Sequence, residues 1–578
     1  MFDRKSAMPA AVLPGESQIL VTAASRRRHA IQGFFNSAAF DFAIPTAIYT
    51  FCFFVLTYPL IWVWSTNFYC DRGDGLQNEW NLWWIKKALV QLHQSPWFTD
   101  WLHAPQGTTL IGHTLNPLNG LIGIPLSLIF SRVQVYNFIV TGSFVFSGVT
   151  AFWLARHVAR LYVPALFGGF AFTFTGYHFA HAYGHMQLIS MQFIPLFLLA
   201  WLRMLEQPRF GRAVAGGCAL GLVAFCDFYY VFYCVMAGAL CGAFYVSHLR
   251  RIVRLHRRSL WHLGVRFGLF VVVALIWCGP FLILLLVKNA RDPFDGAHDA
   301  VVFSADAFSA WIPGGANMLG RFTKSYWSRL TGDLPDQCVY VGISVLTMAV
   351  YGAIKNRARH VPVACWSTLA LCAYVLSLGP VLHIHGIAET GSVLPYAWLT
   401  DFVPPLKLSG CPARMTVMLA LALSMLLSLG VSSIWQRRNR SAWIIPSLFA
   451  AAMAIDLSPI RLPNTPAFYP AWTAVLRNLP LKGAVISQVD DRCLELYYQT
   501  LYDRPMAFGY ISRVPASVLR RDRRIALLGR IHDFSALRAL GFVYLVLPRT
   551  TPEAGLPIVY SGDQVVIQQL PDPPARMR

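Results

Sequence analysis

The residues best suited to chemistry are concentrated in Cys70-Asp71-Arg72-Gly73-Asp74-Gly75. Two carboxylates three positions apart, set between glycines, form a tight loop in which either could take a proton from a hydroxyl within hydrogen-bond reach. His178, His181 and His185 form a second group, whose spacings of three and four would align them on one helix face. Imidazoles so placed could hold a metal, contact a sugar or pyrophosphate, or simply line a polar interior. No nearby Cys or carboxylate completes a zinc site, so a structural or lining role is expected. Asp227 precedes Phe228-Tyr229-Tyr230 at the end of an apolar run, as either a second acid of a cleft or the cap of a turn. In Pro404-Pro405-Leu406-Lys407-Leu408-Ser409-Gly410-Cys411-Pro412-Ala413-Arg414, two cations stand at the mouth of another apolar run. A guanidinium can fork two donors onto a phosphate, and a cation at a helix end can equally snorkel to head groups. Asp292, Asp295, His298 and Asp299 do not match an EF-hand spacing and are expected in a solvated loop.

Composition says what must hold these residues in place. Of 578 residues, 56% are hydrophobic and 13% charged, against about 25% charged in globular proteins. So few charges cannot coat several soluble domains, and so many apolar residues exclude a disordered chain. Twelve cysteines in this length are too sparse for a disulfide scaffold. A multi-pass membrane protein remains.

A spanning helix needs about twenty mostly apolar residues. Eleven segments are expected to span: 42–64, 134–155, 161–178, 187–204, 211–228, 229–247, 265–287, 337–354, 361–380, 413–434 and 442–459. The first reads as an uncleaved anchor. Segment 117–130, interrupted by Pro117 and Pro125, is expected to lie on the membrane. In the helix before it, Trp80, Trp83, Trp84 and Leu89 are expected as interfacial anchors. The tail is more polar: 484–489 and 542–547 read as strands, Ser561-Gly562-Asp563 as a hairpin turn, and 517–528 as a helix with solvated arginines. The expected fold is an α-helical multi-pass membrane protein of about 11 transmembrane helices with a small C-terminal α/β extracytoplasmic domain. Its parts are a cytoplasmic N-terminal segment (1–41), a transmembrane domain (42–459) with a first outer loop (65–133), and the extracytoplasmic domain (460–578).

The net charge of +21 follows this topology. With the N-terminus in the cytoplasm, Arg26-Arg27-Arg28 ahead of the first span and the cytoplasmic connections with their flanks carry twenty Lys and Arg and one acid, Glu206, as the positive-inside rule requires. Counting 117–130 as a span would put the six-arginine connection outside. The outer loops are close to neutral, with acids slightly ahead, so nucleic acid is not needed to explain the charge. Cys70, Cys338, Cys411 and Cys493 fall at or beyond the outer face, where sequence cannot pair them. No Walker or dinucleotide motif occurs.

A first span, an outer loop opening on acids, two interfacial helices, many spans and an outer polar tail resemble the GT-C glycosyltransferase superfamily. The stretches Phe172-Thr173-Phe174-Thr175-Gly176-Tyr177-His178 through His185-Met186-Gln187 to Gln192-Phe193-Ile194-Pro195-Leu196, and Tyr497-Tyr498-Gln499-Thr500 to Gly509-Tyr510-Ile511-Ser512-Arg513, are similar to a large bacterial group of this type. The resemblance implies an inverting enzyme that moves a sugar from a polyprenyl-phosphate donor to a lipid, glycan or protein acceptor at the outer face of a bacterial inner membrane. It places the catalytic base on Asp74, with Asp71 as its neighbour. Aminoarabinose and mannosyl transferases often show Asp-Glu here, so the choice between the two acids stays open. Arg414, Lys407, His181, His185 and Asp227 are the expected substrate and phosphate contacts. No cofactor is certain, and a divalent cation is left open. The alternative is a non-enzymatic lipid or sugar flippase. Such transporters tend to carry ionisable residues at mid-membrane, whereas here the acids gather at the outer ends.

Overall fold

The computed structural model describes residues 38–252, 257–358, 360–403, 405–437 and 441–572. Arg26, Arg27, Arg28, Arg254, Arg359, Pro404, Arg438 and Arg440 lie outside the described residues. Helix α1 (Ala38–Leu56) leads into the first loop, which contains α2 (Asp74–Lys86) and α3 (Pro117–Leu126). The bundle continues through α4 (Arg132–Ala159), α5 (Tyr162–Thr173), the short α6 (Gly176–His181), α7 (Phe193–Glu206), α8 (Phe210–Ala224), α9 (Phe228–Ile252) and α10 (Arg257–Arg291). After a long loop come α11 (Ile343–Lys355), α12 (His360–Ser377), α13 (Thr416–Trp435) and α14 (Ser441–Asp456).

Each apolar run expected to span contains a helix. By length and composition, six helices can cross a membrane: Ala39–Leu56, Arg132–Ala159, Met186–Glu206, Phe228–Ser247, Trp261–Arg291 and Pro412–Trp435. The helices in the other expected spans are apolar but shorter, as is α3. Helix α13 is the axis of the bundle, with 94% of its apolar window buried, whereas that of α10 is 11% buried at the periphery. Small residues let backbones close on the axis. A Cβ on Gly352 of α11 would stand 2.1 Å from Leu426 O, and one on Gly168 of α5 would stand 2.2 Å from Ser428 Oγ. Close approach through small residues is what packs helices where lipid supplies no hydrophobic drive.

The outer loops and the tail interlock. Strands β1 (Ala484–Ser487), β2 (Phe542–Pro548), β3 (Ile558–Ser561) and β4 (Val565–Gln569) form one sheet in the order β3-β4-β2-β1, with β1 parallel to β2 and the other pairs antiparallel. Helix α15 (Arg492–Tyr502) follows β1, and α16 (Ala516–Arg530) covers the expected helix at 517–528. Asn67–Phe68 pairs with Thr465–Pro466, and Phe294–Asp295 pairs with Val514–Pro515. Asp295 therefore lies in a ladder, while Asp292 accepts from Ser517 N at 2.9 Å and from Ser517 Oγ.

The tryptophans of α2 depart from expectation. Trp80 and Trp84 are fully buried, their rings stacked at 5.8 Å. Trp80 Nε1 donates to Gln499 Oε1 of α15 at 2.7 Å, and Trp84 Nε1 to Pro96 O at 3.0 Å. Trp80 anchors the loop to the tail and Trp84 anchors it to itself, rather than to lipid, because α15 packs on the helix that sequence assigned to the membrane surface. All twelve cysteines are free thiols.

Candidate functional site

Asp74 is the first residue of α2, and the glycines around it decide what it can meet. A Cβ on Gly75 would stand 2.3 Å from Cys70 Cβ, so only glycine lets the loop fold back on itself. Asp71 Oδ1 accepts from Gly75 N at 2.9 Å, which commits that carboxylate to holding the turn. Burial raises the Asp71 pKa, with the Gly75 hydrogen bond opposing. Asp74 points the other way and is 40% exposed.

The segment after α6 comes against this turn. A Cβ on Gly184 would stand 2.7 Å from Asp74 Cβ. Asp71 N donates to Tyr183 O at 2.8 Å, and Asn78 Nδ2 donates to Asp74 O at 2.9 Å and also to Gly184 O. This approach places His185 Nε2 3.5 Å from Asp74 Oδ2. His185 Nδ1 lies 2.8 Å from His181 Nδ1, and His181 Nε2 lies 3.9 Å from Asp336 Oδ1. Asp336 takes a two-pronged pair from Arg414, Nε to Oδ1 and Nη2 to Oδ2, both at 2.9 Å. The result is a row of ionisable groups from a partly exposed carboxylate to a buried guanidinium.

The charges along this row follow from burial and neighbours. Burial works to raise the Asp74 pKa, but the hydrogen bond and charge of His185 outweigh it and hold Asp74 below the usual value. Burial works to lower His185, and the bond to Asp74 reverses that, so His185 is raised. Burial drives His181 well below its ordinary value despite Asp336. A charged His185 can then donate through Nδ1 to a neutral His181, a proton placement inferred from these shifts. Burial alone would raise Asp336; the Arg414 guanidinium overrides it and holds the carboxyl well below the carboxylate range.

Beside this row lies a cavity of about 380 Å³, within the ~300–1,000 Å³ of small-molecule sites. Its polar lining includes His113, Asn116, Gln187, Asp227, Tyr229 and Arg513. Arg414 Cζ lies 5.5 Å from the centre of the Tyr229 ring. Asp227 sits in the turn between α8 and α9, where Oδ1 accepts from Tyr229 N at 2.7 Å, so it is both a cap and a cavity acid. Asn116 Nδ2 and Gln187 Oε1 are buried without a hydrogen-bond partner among the described residues, leaving valences a ligand can fill. A second, apolar cavity of about 690 Å³ runs between α7, α8, α9 and α10 and shares Val231, Val235 and Cys278 with the first.

Of the residues singled out by sequence, Asp74, Asp71, His185, His181, Arg414 and Asp227 gather here. Lys407 does not: it pairs with Asp401 at 3.1 Å, both side chains more than half exposed. His178 has its ring nitrogens 2.7 Å from Thr173 O and 2.9 Å from Ile189 O, so it braces the backbone. Asp336, Gly184 and Asn116 were not singled out. The one sequence signal for Asp336 is an acid in Asp333-Leu334-Pro335-Asp336, just ahead of an apolar run. A divalent cation does not fit the row well, since His185 faces His181 and Asp74 and Asp71 caps Gly75. No group of three or more His, Cys, Asp or Glu able to hold a metal ion occurs among the described residues.

Comparison with known proteins bears on the fold. A family model, DUF6311, described as a domain of unknown function, matches residues 47–458. No curated protein matches. Among solved structures, the apo oligosaccharyltransferase of Archaeoglobus fulgidus is 12% identical, with a TM-score of 0.50 over 89% of this chain and 70% of that one. The arabinofuranosyltransferase AftD from Mycobacteria is also 12% identical, with a TM-score of 0.53 over 92% of this chain and 40% of that one. Both are GT-C glycosyltransferases, and the likeness is one of fold.

Proposed function

The chain belongs to the DUF6311 family, and from its GT-C fold and the site above we propose that it is a membrane glycosyltransferase using a polyprenyl-phosphate sugar donor. The observation that carries this reading is the meeting of Asp74 with His185, and through His181 with Asp336 and Arg414, next to a polar cavity walled by Asp227, Tyr229 and Arg513 that shares Val231, Val235 and Cys278 with the apolar one. The apolar cavity suits the polyprenyl chain. Val235 and Leu275 in its wall are 51% and 59% exposed on helices that face lipid, so a lipid can enter sideways. Gln187, Asn116 and Asp227 suit the hydroxyls of the sugar.

The acceptor hydroxyl gives its proton to Asp74, and its oxygen forms a bond to the anomeric carbon as the bond to phosphate oxygen breaks. The electron pair leaves with the phosphate. Attack opposite the leaving group inverts the anomeric centre. His185 keeps Asp74 ionised and therefore basic; the charge of Arg513 in the cavity wall favours the departing phosphate, while Arg414 is paired with Asp336. Asp71 shapes the turn. On this reading the site faces outward, the basic connections and N-terminus lie in the cytoplasm, all eleven apolar runs cross the membrane, and residues 460–578 form the outer domain. The acceptor is a lipid, glycan or protein of the envelope.

The test uses the full chain in lipid nanodiscs with a panel of polyprenyl-phosphate sugars. Wild type is expected to consume a donor, and Asp74→Asn to lose roughly 10²–10⁴-fold in rate, while Asp71→Asn keeps more activity. If wild type consumes no donor but moves one across the bilayer, the flippase reading replaces this one. Full activity in both variants removes the base assignment.

A further inference from the structure

At the far end of the molecule lies a cluster that transfer chemistry does not use. Helix α4 meets the first loop at its start, where Arg132 pairs with Glu79. The helix is 28 residues long, so its other end lies about 40 Å away at 1.5 Å per residue. There a cavity of about 280 Å³ is lined by Asp41, Trp153, Arg156, His157, Arg160 and Arg203. Its cations exceed its acids. Arg156 Nε lies 3.4 Å from Asp41, and His157 Nε2 lies 2.9 Å from Glu206. Arg160 reaches the same Glu206 only at 3.9 Å and is 63% exposed. Arg203 forms no ion pair among the described residues, and its carbonyl receives Arg212 Nη1 at 2.7 Å, which brings a further cation close.

Two observations separate this cluster from an ordinary basic helix end. Arg160 closes α4 with φ 64° and ψ 11°, the left-handed position that glycine fills at low cost and other side chains adopt at a penalty. This turn ends the helix and leaves the Arg160 side chain 63% exposed at the cavity. The cavity also opens onto an aromatic track. Phe42 stacks on Phe146 at 6.3 Å and lies tilted against Trp153 at 6.5 Å, and Phe42 and Phe146 are each 43% exposed along α1 and α4. A cationic pocket at the foot of an exposed apolar track matches a phosphate joined to an acyl chain.

We propose that this cavity binds the phosphate head group of an anionic phospholipid, whose acyl chain lies along Phe42 and Phe146. The proposal is independent of the transferase reading.

The full chain, purified in mild detergent, is titrated by native mass spectrometry with phosphatidylglycerol and phosphatidylcholine of matched chains, and with inorganic phosphate. Wild type is expected to retain phosphatidylglycerol at least tenfold better than phosphatidylcholine, with millimolar phosphate competing only weakly. Arg160→Gly should unfold at the same or a higher temperature, because glycine suits the left-handed position, yet lose most of this preference; Arg203→Gln should also reduce it. Equal retention of the two lipids by wild type overturns the proposal, as does Arg160→Gly binding like wild type. Complete displacement by phosphate at its lipid-equivalent concentration overturns the acyl-chain contact.

Discussion

Asp74 and His185 set each other's charge, and that coupling has a measurable sign. A carboxyl held below its ordinary pKa is basic at neutral pH and loses that capacity only as pH falls through the depressed value. In His185→Gln the two largest lowering influences are gone and burial is opposed only by Cys493 and Arg414, so the Asp74 pKa rises. The acidic limb of the kcat/KM profile should therefore move to higher pH in that variant; an unmoved limb would mean that Asp74 is not the titrating base. Asp336 supports a different prediction. Its removal in Asp336→Asn leaves the Arg414 guanidinium buried with its pairing carboxylate gone, which costs about 3–5 kcal/mol. Thermal unfolding in detergent should show this as a large drop in Tm. Replacing both with apolar residues, Asp336→Leu with Arg414→Met, should recover much of it.

At the scale of elements, the first loop and the segment from α6 to α7 are the two pieces that build the site, and glycine sets their distance. Gly184→Val would drive a side chain into Asp74 Cβ and move the carboxylate from His185. Misplacement by about 1 Å costs on the order of 10²-fold in rate, so activity should fall by that much while the protein still folds. Helix α2 is held from the other side by Trp80 against α15 and by Trp84 against Pro96. The Trp80→Ala variant should lose about 3–5 kcal/mol and expose the loop to limited proteolysis. The heptad-like spacing of these tryptophans is visible in sequence and says that they share a face. What covers that face is not visible, because α15 comes from more than 400 positions later.

Over the whole molecule, the two cavities share Val231, Val235 and Cys278, and the polar one is walled by Tyr229, whose ring lies against Arg414 at the end of the row. Val235 lines both. A Val235→Trp substitution should block the passage and raise KM for long-chain donors roughly tenfold, about 1.4 kcal/mol. Short-chain analogues should be less affected. Equal effects on both would place the chain elsewhere.

The apolar runs located the helices because a bilayer demands long uncharged stretches, a property carried by each segment alone. The acidic motif, the clustered histidines and the strands of the tail were legible for the same reason: spacing and alternation are local. Other features depend on contacts between segments far apart. Sequence left the choice between Asp74 and its neighbour Asp71 open; the fold turns Asp71 toward Gly75 and Asp74 toward His185. It also left Arg414 as a phosphate hand, and the fold gives that guanidinium a buried carboxylate, Asp336, from 78 positions away. Charge pairing in a low-dielectric interior is decided by distance in space, and a single sequence carries no record of that distance.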